Sequence, residues 1–482
     1  MQDSTSLPSA ADLARQRRNH DRLLAALTGG EHAGGRGDES RCLSLSLERF
    51  VVDRQEGATV PFGGERGVGS LVAATGRLLG DGHASGAKTL TSASGEVPVG
   101  ETFVDVAVGV GPTGQLVTTV GPAHDVRMLG QALSVLERRV HLASREVGRD
   151  IDLIAQGYNP TVEAPSDLPL VPLARHTLTE AHLSRHGDKV RDAMRATADT
   201  VVSIDYGGQR EAAESYRVAT ALSPILAFLT DNALRFRREN PHEGGRMLRR
   251  SLWSQAAPAL PSPLPDAFGP SFGYRAYVAW LERQAPAWYV GSDGHDLPCG
   301  EQPLSAVMMR DEFSEAQVAQ LLGAMCPEVG LDGRLVLRCA DSLPARLALG
   351  YAAFAKGLFC SDKGFELASV LVSAATPEAV ELAARDLAHD GWNANVYGRD
   401  VSDLVSQLVR IAREGLDEGE RGCLDSIAQV WEVGAVPRDL LLDTWDMKHA
   451  ASEEDHGSDD AGDAEPQEDS DEGESRSEGN VN

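Results

Sequence analysis

Residues 42–53 read CLSLSLERFVVD, and the strict alternation of this stretch decides what kind of fold the chain can adopt. Leu43, Leu45 and Leu47 point one way; Ser44, Ser46 and Glu48 point the other. Successive strand residues face opposite sides, so this is a half-buried strand with an apolar and a polar face. Two further strands are expected near 103–110 (FVDVAVGV) and 114–120 (GQLVTTV), joined by Gly-Pro-Thr, and a short one at 333–338 (GRLVLR). Helical spacing is expected at 10–28, stopped by Gly29-Gly30, at about 124–142, and at 344–359. The apolar pattern of 212–232 contains Pro224, which should kink or divide a helix there. Thr376-Pro377-Glu378 opens another helix, and one more spans about 401–414. Neighbouring strands close enough for hairpins, interspersed with long helices, indicate an α+β fold.

The chain has 482 residues and a formal charge of −27. Thirteen Asp and Glu against one Arg place about −12 of that in residues 451–482. The expected organisation is an N-terminal helix and linker at 1–40, a main domain at 41–445, and an acidic disordered tail at 446–482. An acidic chain without a basic stripe argues against nucleic acid and against an anionic membrane surface as partners. Neither a secretory h-region nor a membrane-length apolar run is evident. The six cysteines are scattered without a C-x-x-C pair, which argues against a structural zinc site. They read as reduced thiols in a cytoplasm. The thirteen histidines offer no recognised metal spacing, and no Ser/His/Asp or Cys/His nucleophile arrangement can be assembled. The glycines of PFGGERGVGS read as a turn, because no Gly-Lys-Ser/Thr follows. Arg210 and Arg217 read as a solvated helix face, and Cys339 as a small buried residue.

Ten blocks in series carry a family resemblance. They include SLERFVVD (46–53), TVPFGGERGV (59–68), GPTGQL with VGP (111–122), GYNP (157–160) and MRATADTVVSIDYG (194–207). ALSPILAFLTDN (221–232), LRRSLW (248–253), FGPSFGYRAY (268–277), CPEVGLDGRLVLRCADSLP (326–344) and ALGYAAFAKGLF (348–359) follow. Together they resemble the glutamate–cysteine ligases of the bacterial and plant-like type. The resemblance implies a glutamine-synthetase-like fold, in which a curved antiparallel sheet forms a funnel with helices outside. It also implies ATP and Mg²⁺ as cofactors, and the joining of glutamate and cysteine through an acyl phosphate to give γ-glutamylcysteine.

By that resemblance Arg195 and Arg249 would hold a substrate carboxylate or phosphate, with Arg338 facing the same cavity and Arg249 and Arg338 as the candidate catalytic residues. Gln115, Tyr206, Asn232 and Trp253 fit substrate-binding positions, although each equally suits a packing or hydrogen-bonding role. The metal side departs from the pattern. The family's E-x-E on the first strand is Ser46 and Glu48 here, its L-E-P-G-G-Q-L-E motif has Gly111 and Val117, and its Glu before the E-I-R arginine is Val336. A family Gln is replaced by Val201. Four of the five expected carboxylates are thus gone, leaving Glu48, which either binds a residual metal or pairs with an arginine. Valine cannot coordinate Mg²⁺, which takes oxygen ligands. Ordinary ligase activity is therefore expected to be reduced or lost. The alternative is an inactive relative that binds an anionic metabolite or acts on a partner such as an active paralogue or a second copy.

Overall fold

The computed structural model describes residues 7–457, apart from 30, 32–35, 38–40, 81–85, 93–94, 104, 258–262, 265 and 326. For 86–92, 95–98 and 448–457 only the backbone is described. The opening stretch forms the strand β1 (Leu43–Asp53), at the centre of a nine-stranded antiparallel sheet. The others are β2 (Gly86–Ser92), β3 (Gly95–Thr102), β4 (Val106–Val110), β5 (Leu116–Ala123), β6 (Ile151–Ile154) and β7 (Asp199–Ile204). A small hairpin, β8 (Trp288–Val290) with β9 (Asp296–Pro298), stands apart; β10 (Val329–Leu331) and β11 (Leu335–Asp341) complete the large sheet. Its order is β10-β11-β7-β1-β5-β4-β3-β2, with β6 pairing the far end of β1. The chain is an α+β protein.

The apolar side of the alternation is the core. Leu43, Leu45 and Leu47 are at most 1% exposed and pack with Val202, Ile204, Leu335 and Leu337 from β7 and β11. The helices Val126–Glu146, Gln209–Leu229 and Ala345–Phe359 cover this face. A fully buried leucine contributes about 1.5–3 kcal/mol, so this face fixes the register of β1.

The expected 124–142 helix is Val126–Glu146, capped by Asp125 accepting from the Arg127 N–H. Thr376 caps Pro377–Asp390 as its sequence signal implies. Pro224 does not divide its helix, which runs unbroken from Gln209 to Leu229. The whole turn around it is buried, and packing of this kind outweighs a missing backbone donor. Arg217 is not on a solvated face: it is half-buried and donates to the carbonyls of Ala267 and Gly269. Arg210 is exposed, as expected.

The helix Ala10–Thr28 sends Leu23 and Leu27 into the main core, and Asn19 donates to the carbonyls of Met308 and Asp311. At the other end the helix Pro437–Gly457 runs through position 446, and the rest of the acidic tail lies outside the described residues. Among the described residues no helix is long and apolar enough to cross a membrane.

Candidate functional site

The polar side of the same alternation forms the opposite, partly exposed face of the sheet. Antiparallel register sets Ser46 beside Thr119 on one strand and Val201 on the other, and Glu48 beside Val117. Ser44 lies beside Ser203, which in turn faces Val336. Gly111 closes the group: a Cβ built there would meet Glu48 Oε1 at 2.1 Å. Ser46, Gly111, Val117 and Val201 therefore lie around Glu48 on one sheet face, and Val336 shares that face further along, beside Ser203. The Ser46 and Thr119 hydroxyls satisfy each other at 2.9 Å, and Arg334 reaches the Ser44 hydroxyl at 2.9 Å.

Glu48 is partly exposed, yet its carboxyl is pushed up to about 8, first by burial and next by the neighbouring Asp199 charge. The Asp199 backbone hydrogen bond, Arg249 and Arg338 pull the other way and do not win. Arg338 lies 4.0 Å from the Asp199 carboxylate.

Two hydrogen-bonded knots flank this centre, and they account for most of the expected site residues. In the first, Gln115 Oε1 accepts from the Thr113 N–H at 2.8 Å, and its amide donates to the Thr197 carbonyl at 3.3 Å. Trp253 Nε1 donates to the Thr197 hydroxyl at 3.1 Å. Arg195 sits in the same knot, its guanidinium gripping Glu180 twice, at 2.6 and 2.9 Å, and the Leu168 carbonyl at 2.8 Å. Such a bidentate pair leaves little of the fork for a substrate carboxylate, so Arg195 is a brace in this structure rather than an open anion holder.

In the second knot, β11 carries a bulge between Leu337 and Ala340 that takes carbonyls out of the ladder. Arg249 answers it: Nη2 donates to the carbonyls of Arg338, Cys339 and Ala340, and Nε to Asp341 Oδ1 at 3.0 Å. Arg249 is 7% exposed and equally a brace. Asn232 donates from its backbone to Asp341 Oδ2 and from its amide to the Ala155 and Ser342 carbonyls. Asp341 fits because Gly157 has no Cβ, which would fall 2.1 Å from the carboxylate. Burial raises the Asp341 carboxyl, with Arg249 opposing.

Tyr206 is the expected site residue that the fold takes elsewhere. Continuing the core-facing parity of Val202 and Ile204, it is buried with its hydroxyl donating to the Leu27 carbonyl at 2.6 Å. Cys339 is buried, as expected, and burial pushes its thiol up. PFGGERGVGS is a turn leading into the helix Val68–Gly80; a Cβ at Gly67 would fall 2.2 Å from the Gly63 carbonyl. The sequence reading missed Asp199, Glu180 and Asp341. Asp199 had a signal, being in phase with Val201 on the polar face; Glu180 had none.

The carboxyls of this face that could hold a Mg²⁺-bound nucleotide are those of Glu48 and Asp199. Mg²⁺ takes near-octahedral oxygen ligands, usually including carboxylates. Among the described residues no third acidic, cysteine or histidine ligand joins Glu48 and Asp199, and Val117, Val201 and Val336 line the remaining positions. A separate groove of about 430 Å³, lined by Leu133, Leu349 and Cys423 among others, lies on the helical side and holds none of these residues.

An α+β protein with an antiparallel sheet, one face core and the other a polar, partly exposed surface flanked by hydrogen-bonded knots, is what the geometry defines. The profile of the glutamate-cysteine ligase family 2 (GCS2) matches residues 47–465, and the chain belongs to that family. It is 24% identical to glutamate–cysteine ligase B, chloroplastic, of Oryza sativa subsp. japonica, over 71% of this chain and 70% of that protein. The chloroplastic glutamate–cysteine ligase of Nicotiana tabacum is 22% identical over 72% of this chain and 67% of that protein. That of Arabidopsis thaliana is 23% identical over 70% and 66% respectively.

Proposed function

We propose that this chain is a glutamate–cysteine ligase-like protein in which ATP-dependent formation of γ-glutamylcysteine is reduced or lost. In this reading its polar sheet face binds a small anionic or amino-acid ligand. The observation that carries the reading is the placing of Ser46, Gly111, Val117 and Val201 around a raised carboxyl at Glu48, with Val336 further along the same face. Metal ions stabilise phosphoryl-transfer transition states by several kcal/mol, and about 1.4 kcal/mol is tenfold in rate. A face without a carboxylate cage forgoes that stabilisation, whereas Arg338 and Arg334 keep positive charge at its edge. The sheet order agrees with a glutamine-synthetase-like fold, and the dispersed cysteines with a cytoplasmic location.

The test is an assay of the purified chain with Mg²⁺, ATP, glutamate and cysteine, following γ-glutamylcysteine and ADP. We expect turnover at or near background. Robust turnover that Glu48→Ala abolishes would overturn the reading. A companion experiment measures Mg-ATP binding by calorimetry before and after Ser46→Glu, Gly111→Glu, Val117→Glu and Val336→Glu are combined. Binding is expected only after restoration, with Glu48 turning aside to admit the side chain at 111. Tight binding to the unaltered chain refutes the lost-cage account.

A further inference from the structure

Away from the polar sheet face, His182, His186 and Glu301 each offer one ligand atom, all within 4.8 Å of one another. His182 ends the helix Ala174–Leu183, His186 follows in the next turn, and Glu301 lies just beyond β9, after Gly300 in a left-handed conformation (φ +67°). We propose that these three side chains bind a borderline divalent cation of the Zn²⁺ class, with water completing the coordination. The i, i+4 spacing of HLSRH puts both imidazoles on one side of the chain, their ring centres 5.3 Å apart.

Three observations support a cation rather than a chance meeting. His186 Nε2 and Glu301 Oε2 are 3.4 Å apart. That is the edge of a tetrahedron whose metal–ligand bonds are about 2.1 Å. Glu301 is held for the role, because its other oxygen accepts from Arg185 Nη1 at 2.7 Å, leaving Oε2 toward the histidines. His182 is 8% exposed, its ring bonds the Gly300 carbonyl, and Nδ1 is left buried without a partner. One nitrogen donating to a backbone carbonyl and the other carrying an unshared pair is how ligating histidines are oriented. Two imidazoles and one carboxylate suit Zn²⁺, whereas Mg²⁺ prefers all-oxygen shells.

The placement gives the site a consequence. Glu180 lies on the same helix and holds Arg195, whose carbonyl accepts from Thr113 in the first knot. A cation that ties this helix to the loop after β9 therefore stiffens one flank of the polar sheet face.

The test is calorimetric titration of the full, EDTA-dialysed chain with Zn²⁺, repeated with Co²⁺ while recording its visible spectrum. We expect one site that is at least tenfold weaker in His186→Ala and in Glu301→Gln, both at partly exposed positions, with circular dichroism verifying the fold. The Co²⁺ spectrum should show ligand-field bands without thiolate charge transfer, and Zn²⁺ should raise the melting temperature of the native chain but not of the variants. The absence of saturable binding overturns the proposal. So does binding unchanged by both substitutions, or a thiolate spectrum marking the cysteines as the ligands.

Discussion

Replacing Glu48 by Gln should flatten the pH dependence of folding stability. The carboxyl stands at about 8 in the folded chain against an ordinary 4.5, with burial the largest cause and Asp199 the next. Between those values the folded state holds a proton that the unfolded state has released. Stability therefore falls as pH rises through that window, is unaffected by this group below about 4.5, and levels off above about 8. At about 1.4 kcal/mol per tenfold, the limit for a fully buried carboxyl is ~5 kcal/mol. Glu48 is partly exposed, and solvent screening reduces this to about 2–4 kcal/mol. Glutamine keeps the shape of the protonated acid and cannot ionise. Urea unfolding from pH 5 to pH 9 should show the variant gaining on the native chain steadily, from near zero to about 2–4 kcal/mol. Asp231, raised to about 7 by burial and then by Asp341, contributes a slope of its own; it is common to both proteins and cancels in the difference. Parallel profiles would sink the reasoning, because they would mean that Glu48 is already ionised and paired. Millimolar Mg²⁺ adds a second check. If it restores the stability of the native chain at pH 8 but not that of Glu48→Gln, a metal is bound at Glu48 after all.

Arg249→Ala should cost about 3–5 kcal/mol in urea unfolding, since it leaves Asp341 buried without its cation and strips the bulge carbonyls of their donor. Arg249→Lys should rescue little, because a point ammonium cannot span the positions that the planar fork reaches; full rescue would show that charge alone matters. Glu420 is 1% exposed, accepts from Lys356 at 2.6 Å and caps the Val126 N–H at 2.8 Å. Glu420→Ala should therefore cost about 3 kcal/mol. Added Lys356→Met should recover part of it, and a double variant no better than the single would refute the pair as the cause.

What the sequence disclosed is what alternation and capping encode. CLSLSLERFVVD named both faces of β1, and the same parity correctly placed Val117 and Val336 on the face of Glu48. Thr376 and the 10–28 helix were legible from local chemistry alone. Pro224 misled because a buried helix interior overrides a local breaker, and Arg217 because helix periodicity does not say which loop will lie over a face. The arginines were harder for a different reason. Motif position says that Arg195 and Arg249 are near the polar face, but whether a guanidinium is open or committed depends on Glu180 and Asp341, which lie 15 and 92 residues away along the chain. HLSRH showed its i, i+4 histidines plainly, but the third ligand lies more than a hundred residues further on, beyond any local pattern.

The pattern of loss on the polar face follows from the same division of faces. Carboxylates crowded on one sheet face repel one another and are tolerable only while a metal neutralises them. On the proposed reading, in which phosphoryl transfer is not required of the chain, Ser46, Gly111, Val117 and Val336 in their place remove that repulsion at no cost to the core, which is built from the opposite residues of the same strands. The one acid that stays, Glu48, lies beside Asp199 between two arginines, and even there it is pushed toward its neutral form. Arg195 and Arg249 are under the opposite constraint: each closes a hydrogen-bonded knot, and losing either would strand a buried carboxylate or a set of carbonyls. Arg195 and Arg249 are therefore committed to the fold in this structure, and on the proposed reading it is the residues around Glu48 that decide the chemistry.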